Sequence, residues 1–326
     1  MFSYWDQYPN INTRLTEVCQ LIEQRLTVRN REISAAFLKM NRSGGKLLRP
    51  AFFYIFAEMG ENAPADAQNL VKVAASLELL HMASLIHDDI IDDSPLRRST
   101  ITLQAEFGKD IAVYAGDYLF TVFFELVTEA IDKQSLLLRN ARSMKNLLLG
   151  ELDQMNSRFN AEETLADYFQ TIDGKTAELF ALSCLEGAYF AGLTEEVQQL
   201  AENIGRNIGL AFQIYDDILD YTATSAELHK PILEDLAQGV YTLPLLLAKE
   251  KNPADFSDYF EKGHLISETE AKKIAQLVVA NDGVLAAKKY ANDFSAQALA
   301  DIEKLPAGKS KKQLLKLTKL LLKRSH

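Results

Sequence analysis

The chain has 326 residues, enough for one large domain or about two smaller ones. Its 35 Lys and Arg against 45 Asp and Glu give a formal net charge of −10, which argues against gripping nucleic acid through a broad basic face. A 48% hydrophobic share excludes a disordered chain, and two cysteines, Cys19 and Cys184, cannot form a disulfide framework, so a reduced cytoplasmic protein is expected.

In chain order, the first residues, MFSYWDQYPN, show neither the basic nor the apolar region of a signal peptide. Apolar residues at three-four spacing then predict long helices over 68–93, 110–131, 135–158, 175–191 and 195–221. Ala, Leu, Glu, Gln and Lys dominate these stretches, and all favour helix. The chain holds only 15 glycines and 8 prolines, below averages of roughly 7% and 5%. Breaks are short: SGG at 43–45, GENAP at 60–64, SP at 94–95, DG at 173–174 and KNP at 251–253. The pattern predicts a single all-α domain, 1–326, of roughly ten or more helices. Its last segment, 310–324, reads as a basic amphipathic surface helix packing its leucines on the core. No uninterrupted apolar run reaches the about 18 residues of a membrane span.

Two segments resemble each other: IHDDIIDD at 86–93 and IYDDILDY at 214–221. On a helix, Asp88, Asp89 and Asp92 crowd one face, and so do Asp216 and Asp220, with Asp217 beside them. Like charges at that spacing destabilise a bare helix, and apolar neighbours raise the cost. A hard divalent cation removes the penalty, and Mg²⁺ prefers oxygen ligands and phosphates. The alternative, a solvated acidic face, is much weaker for two copies than for one. Matching cations follow in order: Lys46 and Arg49 in SGGKLLRP, Arg97 and Arg98 in SPLRRS, Lys175 before Thr176, and Lys230. His81, in an apolar helix seven residues before Asp88, is open to two readings, a core residue or an anion contact.

These residues resemble the trans-isoprenyl diphosphate synthases, or polyprenyl synthetases. GGKLLRP, LIHDDIIDDSPLRRS, Gly116–Asp117, the GEL and Gln154 of 150–154, Lys175–Thr176–Ala177, FQIYDDILDY and the KPILEDLAQGVYTLP loop match that family in order over about residues 40–250. The resemblance implies the isoprenoid synthase fold, a helical bundle around a deep central cavity between the two aspartate stations. It implies condensation of an allylic diphosphate, such as farnesyl diphosphate, with successive isopentenyl diphosphates. About three Mg²⁺ ions on Asp88, Asp89, Asp92, Asp216, Asp217 and Asp220 would neutralise the leaving diphosphate. Arg97, Lys175 and Lys230 would add charge-assisted contacts to it. Lys46, Arg49, His81 and Arg98 would hold isopentenyl diphosphate, and Thr176 and Gln213 would offer oxygen dipoles near the allylic cation. His87 is left structural.

Positions four and five before Asp88, Ser84 and Ala83, lie about 6–7.5 Å below it along a helix. Short-chain members of the family carry bulky aromatics thereabouts. Small residues leave a tunnel open, so a long all-trans product, hexaprenyl or longer, is expected, with Leu80 as a deeper wall. A quinone side chain is its expected destination. The loop after the second cluster departs from the family: His229 and Leu233 replace glycines, and Val240 replaces a lysine. Such departures are reminiscent of the catalytic large subunits of two-component heptaprenyl synthases. A homodimer and a heterodimer with a small accessory subunit both remain open, with at most peripheral membrane contact for product release. Two other functions compete: a non-catalytic partner subunit, opposed by the intact aspartates, and a terpene cyclase, which would not need SGGKLLRP.

Overall fold

The computed structural model describes residues 3–43, 45–60, 66–222 and 233–322. Gly44, Lys230 and His229, together with most of the 60–64 break, lie outside the described residues. The chain divides into two compact units. The first comprises Met1–Met144, Leu182–Glu202 and Pro306–Ser310; the second comprises Lys145–Ala181, Asn203–Leu305 and Lys311–His326.

The first unit opens with α1 (Pro9–Arg25), α2 (Arg31–Arg42), α3 (Leu48–Ala57) and α4 (Ala67–Ile91). Polar side chains fix the starts: Asn30 accepts from the backbone N–H of Glu32 and Ile33, and Asp66 from that of Gln68. α4 is the central element, packed chiefly on α6 (Lys109–Ala130) and also on α1 and α3. By length and composition alone both α4 and α6 could cross a bilayer, but 72% of the most apolar stretch of α4 is buried inside the protein.

Between α4 and α6 lie a two-stranded hairpin and the short α5 (Leu103–Phe107). In the hairpin Leu96–Arg97 pairs antiparallel with Thr100–Ile101. Its turn residues, Arg98 and Ser99, both take positive φ, 51° and 61°, as a two-residue hairpin turn of matching twist requires. Thr102 and Gln104 side chains both donate to the carbonyl of Ser94, at 2.7 and 2.8 Å, and anchor its base.

α7 (Gln134–Ser157), α9 (Glu178–Phe190) and α10 (Glu195–Thr222) each contribute residues to both units, and α8 (Leu165–Ile172) belongs to the second. A reciprocal cap between Thr164 and Asp167 starts α8. The DG at 173–174 does not break the chain as the sequence predicts: Asp173–Ala177 is a wide π turn joining α8 to α9. Gly174 serves close packing, since a Cβ there would lie 2.6 Å from the Asn146 carbonyl oxygen and 3.1 Å from the Gly150 Cα.

The second unit continues through α11 (Glu234–Ala237), α12 (Leu243–Lys251), α13 (Ser257–Lys262), α14 (Glu268–Ala280) and α15 (Gly283–Lys304). There α12 packs on α14 and α15. The last helix, α16 (Lys309–Leu322), buries Leu314, Leu317 and Leu321 while Lys312, Lys316 and Lys319 stay exposed, as its amphipathic pattern predicts.

Candidate active site

In the first unit, α4, the hairpin and the end of α2 surround a cavity lined by Lys39, Gly45, Glu78, His81, Asp89, Arg97 and Arg98, with Leu47, Met82 and Ile86 as apolar wall. The cavity mixes cations with an apolar side, the combination that an anion with a hydrocarbon tail requires. Arg97 Nε donates to Asp89 Oδ1 at 2.7 Å. Burial raises the Asp89 carboxyl above its ordinary value, opposed by the Arg97 guanidinium.

His81 sits among charges. Burial pushes its imidazole well below the usual range, and Arg49, Arg98 and Arg97 push it the same way. It is therefore neutral near pH 7 and can offer an anion an N–H but no charge. Arg49 is brought down to about 10 by burial, with Glu78 opposing the fall and Arg98 adding a smaller push downward; it stays cationic. Glu78 itself is raised by burial and lowered by Arg49 and Arg98. Of the four residues expected to bind isopentenyl diphosphate, His81 and Arg98 line the cavity. Lys46 is turned elsewhere, with its ammonium 5.8 Å from the centre of the Tyr4 ring and its carbonyl accepting from Trp5 Nε1 at 2.7 Å.

Beside the first aspartate cluster, His87 Nε2 lies 3.3 Å from Asp117 Oδ1. Gly116 makes this approach possible, because a Cβ there would fall 2.4 Å from His87 Nε2. The Gly–Asp pair of the sequence thus seats His87. Ser84 is buried with its hydroxyl donating to the His81 carbonyl at 2.8 Å, and Ala83 and Leu80 are fully buried.

In the second unit the residues around the second cluster form a connected set. Lys175 Nζ donates to Glu151 Oε2 at 2.7 Å and to Gln154 Oε1 at 2.9 Å. Thr176 Oγ1 donates to Gln213 Oε1 at 2.7 Å, and Gln213 Nε2 donates to Asp217 Oδ1 at 2.8 Å. Tyr168 Oη donates to Asp217 Oδ2 at 2.5 Å, and the Leu233 backbone N–H donates to Asp220 Oδ1 at 3.0 Å. Burial, with Asp235 nearby, raises Asp217 well above the ordinary carboxylate range. Asp216 alone of the three is exposed.

Among the described residues, no three His, Cys, Asp or Glu side chains gather closely enough to cage a metal ion. The donor set nevertheless fits Mg²⁺, which is held through one or two carboxylates with waters and substrate phosphates. Half-buried Asp88 and Asp92, and exposed Asp216, are the carboxylates that reach solvent.

The sequence expectations did not include Glu78, Lys39 or Tyr168. Glu78 had a signal, as the one acid within the apolar run 73–87 of α4. Tyr168 had none, because its partner lies 49 residues away.

Residues 30–279 match the family model described as polyprenyl synthetase. The chain is 32% identical over 317 residues to heptaprenyl diphosphate synthase component 2 of Bacillus subtilis (strain 168), covering 97% of this chain and 90% of that protein. It is similar to the crystal structure of geranylgeranyl pyrophosphate synthase from Lactobacillus brevis ATCC 367, with 42% identity, 99% of both chains covered and a TM-score of 0.93. It is also similar to that of heptaprenyl diphosphate synthase from Staphylococcus aureus, with 32% identity, 97% of this chain and 99% of that one covered, and a TM-score of 0.90. A match over most of the chain, on an all-α fold that keeps both aspartate clusters, makes this chain a member of the polyprenyl synthetase family of prenyltransferases.

Proposed function

We propose that the chain is a Mg²⁺-dependent prenyltransferase that extends an allylic diphosphate, such as farnesyl diphosphate, with successive isopentenyl diphosphates to a long all-trans polyprenyl diphosphate. The observation that carries this reading is the cavity where Arg98, neutral His81 and an apolar wall adjoin the Arg97–Asp89 pair at the first aspartate cluster. Asp88, Asp89, Asp92 and Asp216 are assigned to direct contact with Mg²⁺, and buried Asp217 and Asp220 to the support of the second cluster behind Asp216. When bound, the ion supplies Lewis-acid neutralisation of the leaving diphosphate.

The residues of the chain do the rest. Arg98 and Arg49 attract the diphosphate of isopentenyl diphosphate, and His81 donates an N–H to it without adding charge. Lys46 joins them by turning away from Tyr4. Lys175, Arg97 and Lys230 contact the allylic diphosphate. Thr176 and Gln213, hydrogen-bonded to each other, present oxygen dipoles to the developing allylic cation. The isopentenyl double bond attacks that cation, and the proton released goes to the departed diphosphate, so no protein base is needed.

Small Ala83 and Ser84 support a product of hexaprenyl length or longer, with Leu80 as the deeper wall. The 42% identity to a geranylgeranyl pyrophosphate synthase favours a second reading with a shorter product. Apolar Ile111, Val113, Tyr114 and Phe124 are exposed on α6 and support assembly with a second subunit, either another copy or a small accessory chain.

One assay tests the reading: purified protein with Mg²⁺, farnesyl diphosphate and labelled isopentenyl diphosphate, the products then being sized. Elongation by the chain alone establishes a self-sufficient enzyme. Elongation only with a co-expressed small subunit establishes the two-component form. No elongation in either case overturns the proposal.

A further inference from the structure

The geometry points to Tyr168 as a positioning residue that sets the second aspartate cluster through Asp217; this rests on the prenyltransferase reading above. Tyr168 and Asp217 are 4% and 3% exposed, and the phenol donates to Asp217 Oδ2 at 2.5 Å. Gln213 takes the other oxygen, Oδ1, at 2.8 Å, and is itself held by Thr176. Both oxygens of Asp217 are therefore engaged by protein donors, and burial has removed the carboxylate from solvent. A carboxylate so enclosed suits anchoring better than metal ligation, and its neighbour Asp216 is the exposed one.

The anchor joins three pieces of chain. Tyr168 lies on α8, whose start is fixed by the Thr164–Asp167 cap. Two turns later α8 runs into the π turn that carries Lys175 and Thr176. Asp217 and Gln213 lie on α10 beside Asp216. The bonds from α8 and from the π turn thus meet on one face of α10, and they set Lys175 and Thr176 in register with Asp216. Outer groups of this kind, which orient the ligand-bearing helix rather than touch the ion, commonly change metal affinity or activity by about 10–100-fold when lost.

The test is Tyr168→Phe in the full chain, beside Asp217→Asn and the unaltered protein. Tyr168→Phe is expected to raise, by about tenfold, both the KM for farnesyl diphosphate and the Mg²⁺ concentration giving half-maximal rate. The KM for isopentenyl diphosphate stays unchanged, because other residues build that cavity. In parallel, calorimetric titration with Mn²⁺ and inorganic pyrophosphate reads the same loss without turnover. If the unaltered protein fails to elongate, the prenyltransferase reading fails, and the titration still decides the role of Tyr168. A fall in melting temperature with unchanged KM values and unchanged Mn²⁺ affinity would overturn the proposal. So would a silent Tyr168→Phe beside an inactive Asp217→Asn, which would make Asp217 a direct ligand.

Discussion

Arg97 and Asp89 form a charge-assisted pair, Nε to Oδ1 at 2.7 Å, between the hairpin and the last turn of α4. The carboxylate side chain is 8% exposed and the guanidinium 34%. Under the proposed function one belongs to the metal and the other to the substrate diphosphate, so in the unliganded protein each satisfies its neighbour. Replacing Arg97 with Gln leaves the buried carboxylate short of a cation, at a cost of about 1–2 kcal/mol. The expected result is a lower melting temperature for Arg97→Gln in EDTA, with the deficit narrowing when Mg²⁺ is added. A deficit identical in both buffers would remove Asp89 from the metal site.

Stability should depend on pH through Glu186. Asn140 Nδ2 donates to Glu186 Oε1 at 2.6 Å, while Glu186 Oε2 and Asn140 Oδ1 are both buried acceptors without another partner. A proton on Oε2 turns one of these acceptors into a donor. Burial pushes the Glu186 carboxyl from 4.5 up to about 7, with Asn140 and Arg139 opposing. The folded state therefore holds more protons than the unfolded state between those values, and stability falls as pH rises through that window. The loss amounts to about 3 kcal/mol by pH 8. Glu163, raised by burial to about 7, adds a loss in the same direction. Urea unfolding of Glu186→Gln, which keeps the shape without ionising, should match the unaltered protein at pH 5 and exceed it at pH 8. Equal slopes against pH for both would assign the proton elsewhere.

Product length is expected to respond to Ser84→Phe and Ala83→Phe. Both sites are buried on α4 near the aspartates. A phenyl ring there closes the path along the helix and should shift the products toward shorter chains, measured by chromatography. Both sites are buried, so either replacement also overpacks the core by about 1–3 kcal/mol, and the melting temperature of each variant is read beside its products. An unchanged product distribution in a folded Ser84→Phe variant would refute the open-tunnel reading.

Asp88→Ala and Asp216→Ala should each lower kcat by about two orders of magnitude or more, equivalent to roughly 3 kcal/mol of transition-state stabilisation. Neither residue is buried, so circular dichroism and melting temperature should barely move. Near-normal turnover in either variant would refute the metal role assigned to that residue.

The long helices were legible because their apolar spacing is local. The expected 68–93 and 195–221 became Ala67–Ile91 and Glu195–Thr222. The DG at 173–174 misled because Gly174 marks a helix crossing close to Gly150 rather than a turn. The hairpin at 96–101 left no strand pattern, since its strands are two residues each and its turn depends on positive φ at Arg98 and Ser99. Site residues whose chemistry shows in their type, the aspartates and arginines, could be named from the chain. Tyr168 could not, because a phenol becomes a positioning group only through a carboxylate brought to it by folding.

α4 runs unbroken from Ala67 to Ile91 and carries, in order, Glu78, His81, Ala83, Ser84, Asp88 and Asp89. Along one rigid helix these residues behave as marks on a gauge, with each step fixed at about 1.5 Å and 100°. Deleting one residue between Leu80 and Asp88 would swing the aspartates about a quarter turn away from the cavity wall. Under the proposed function, product size is retuned by exchanging side chains at those fixed marks, whereas an insertion or deletion within the helix displaces the aspartates from the cavity wall altogether.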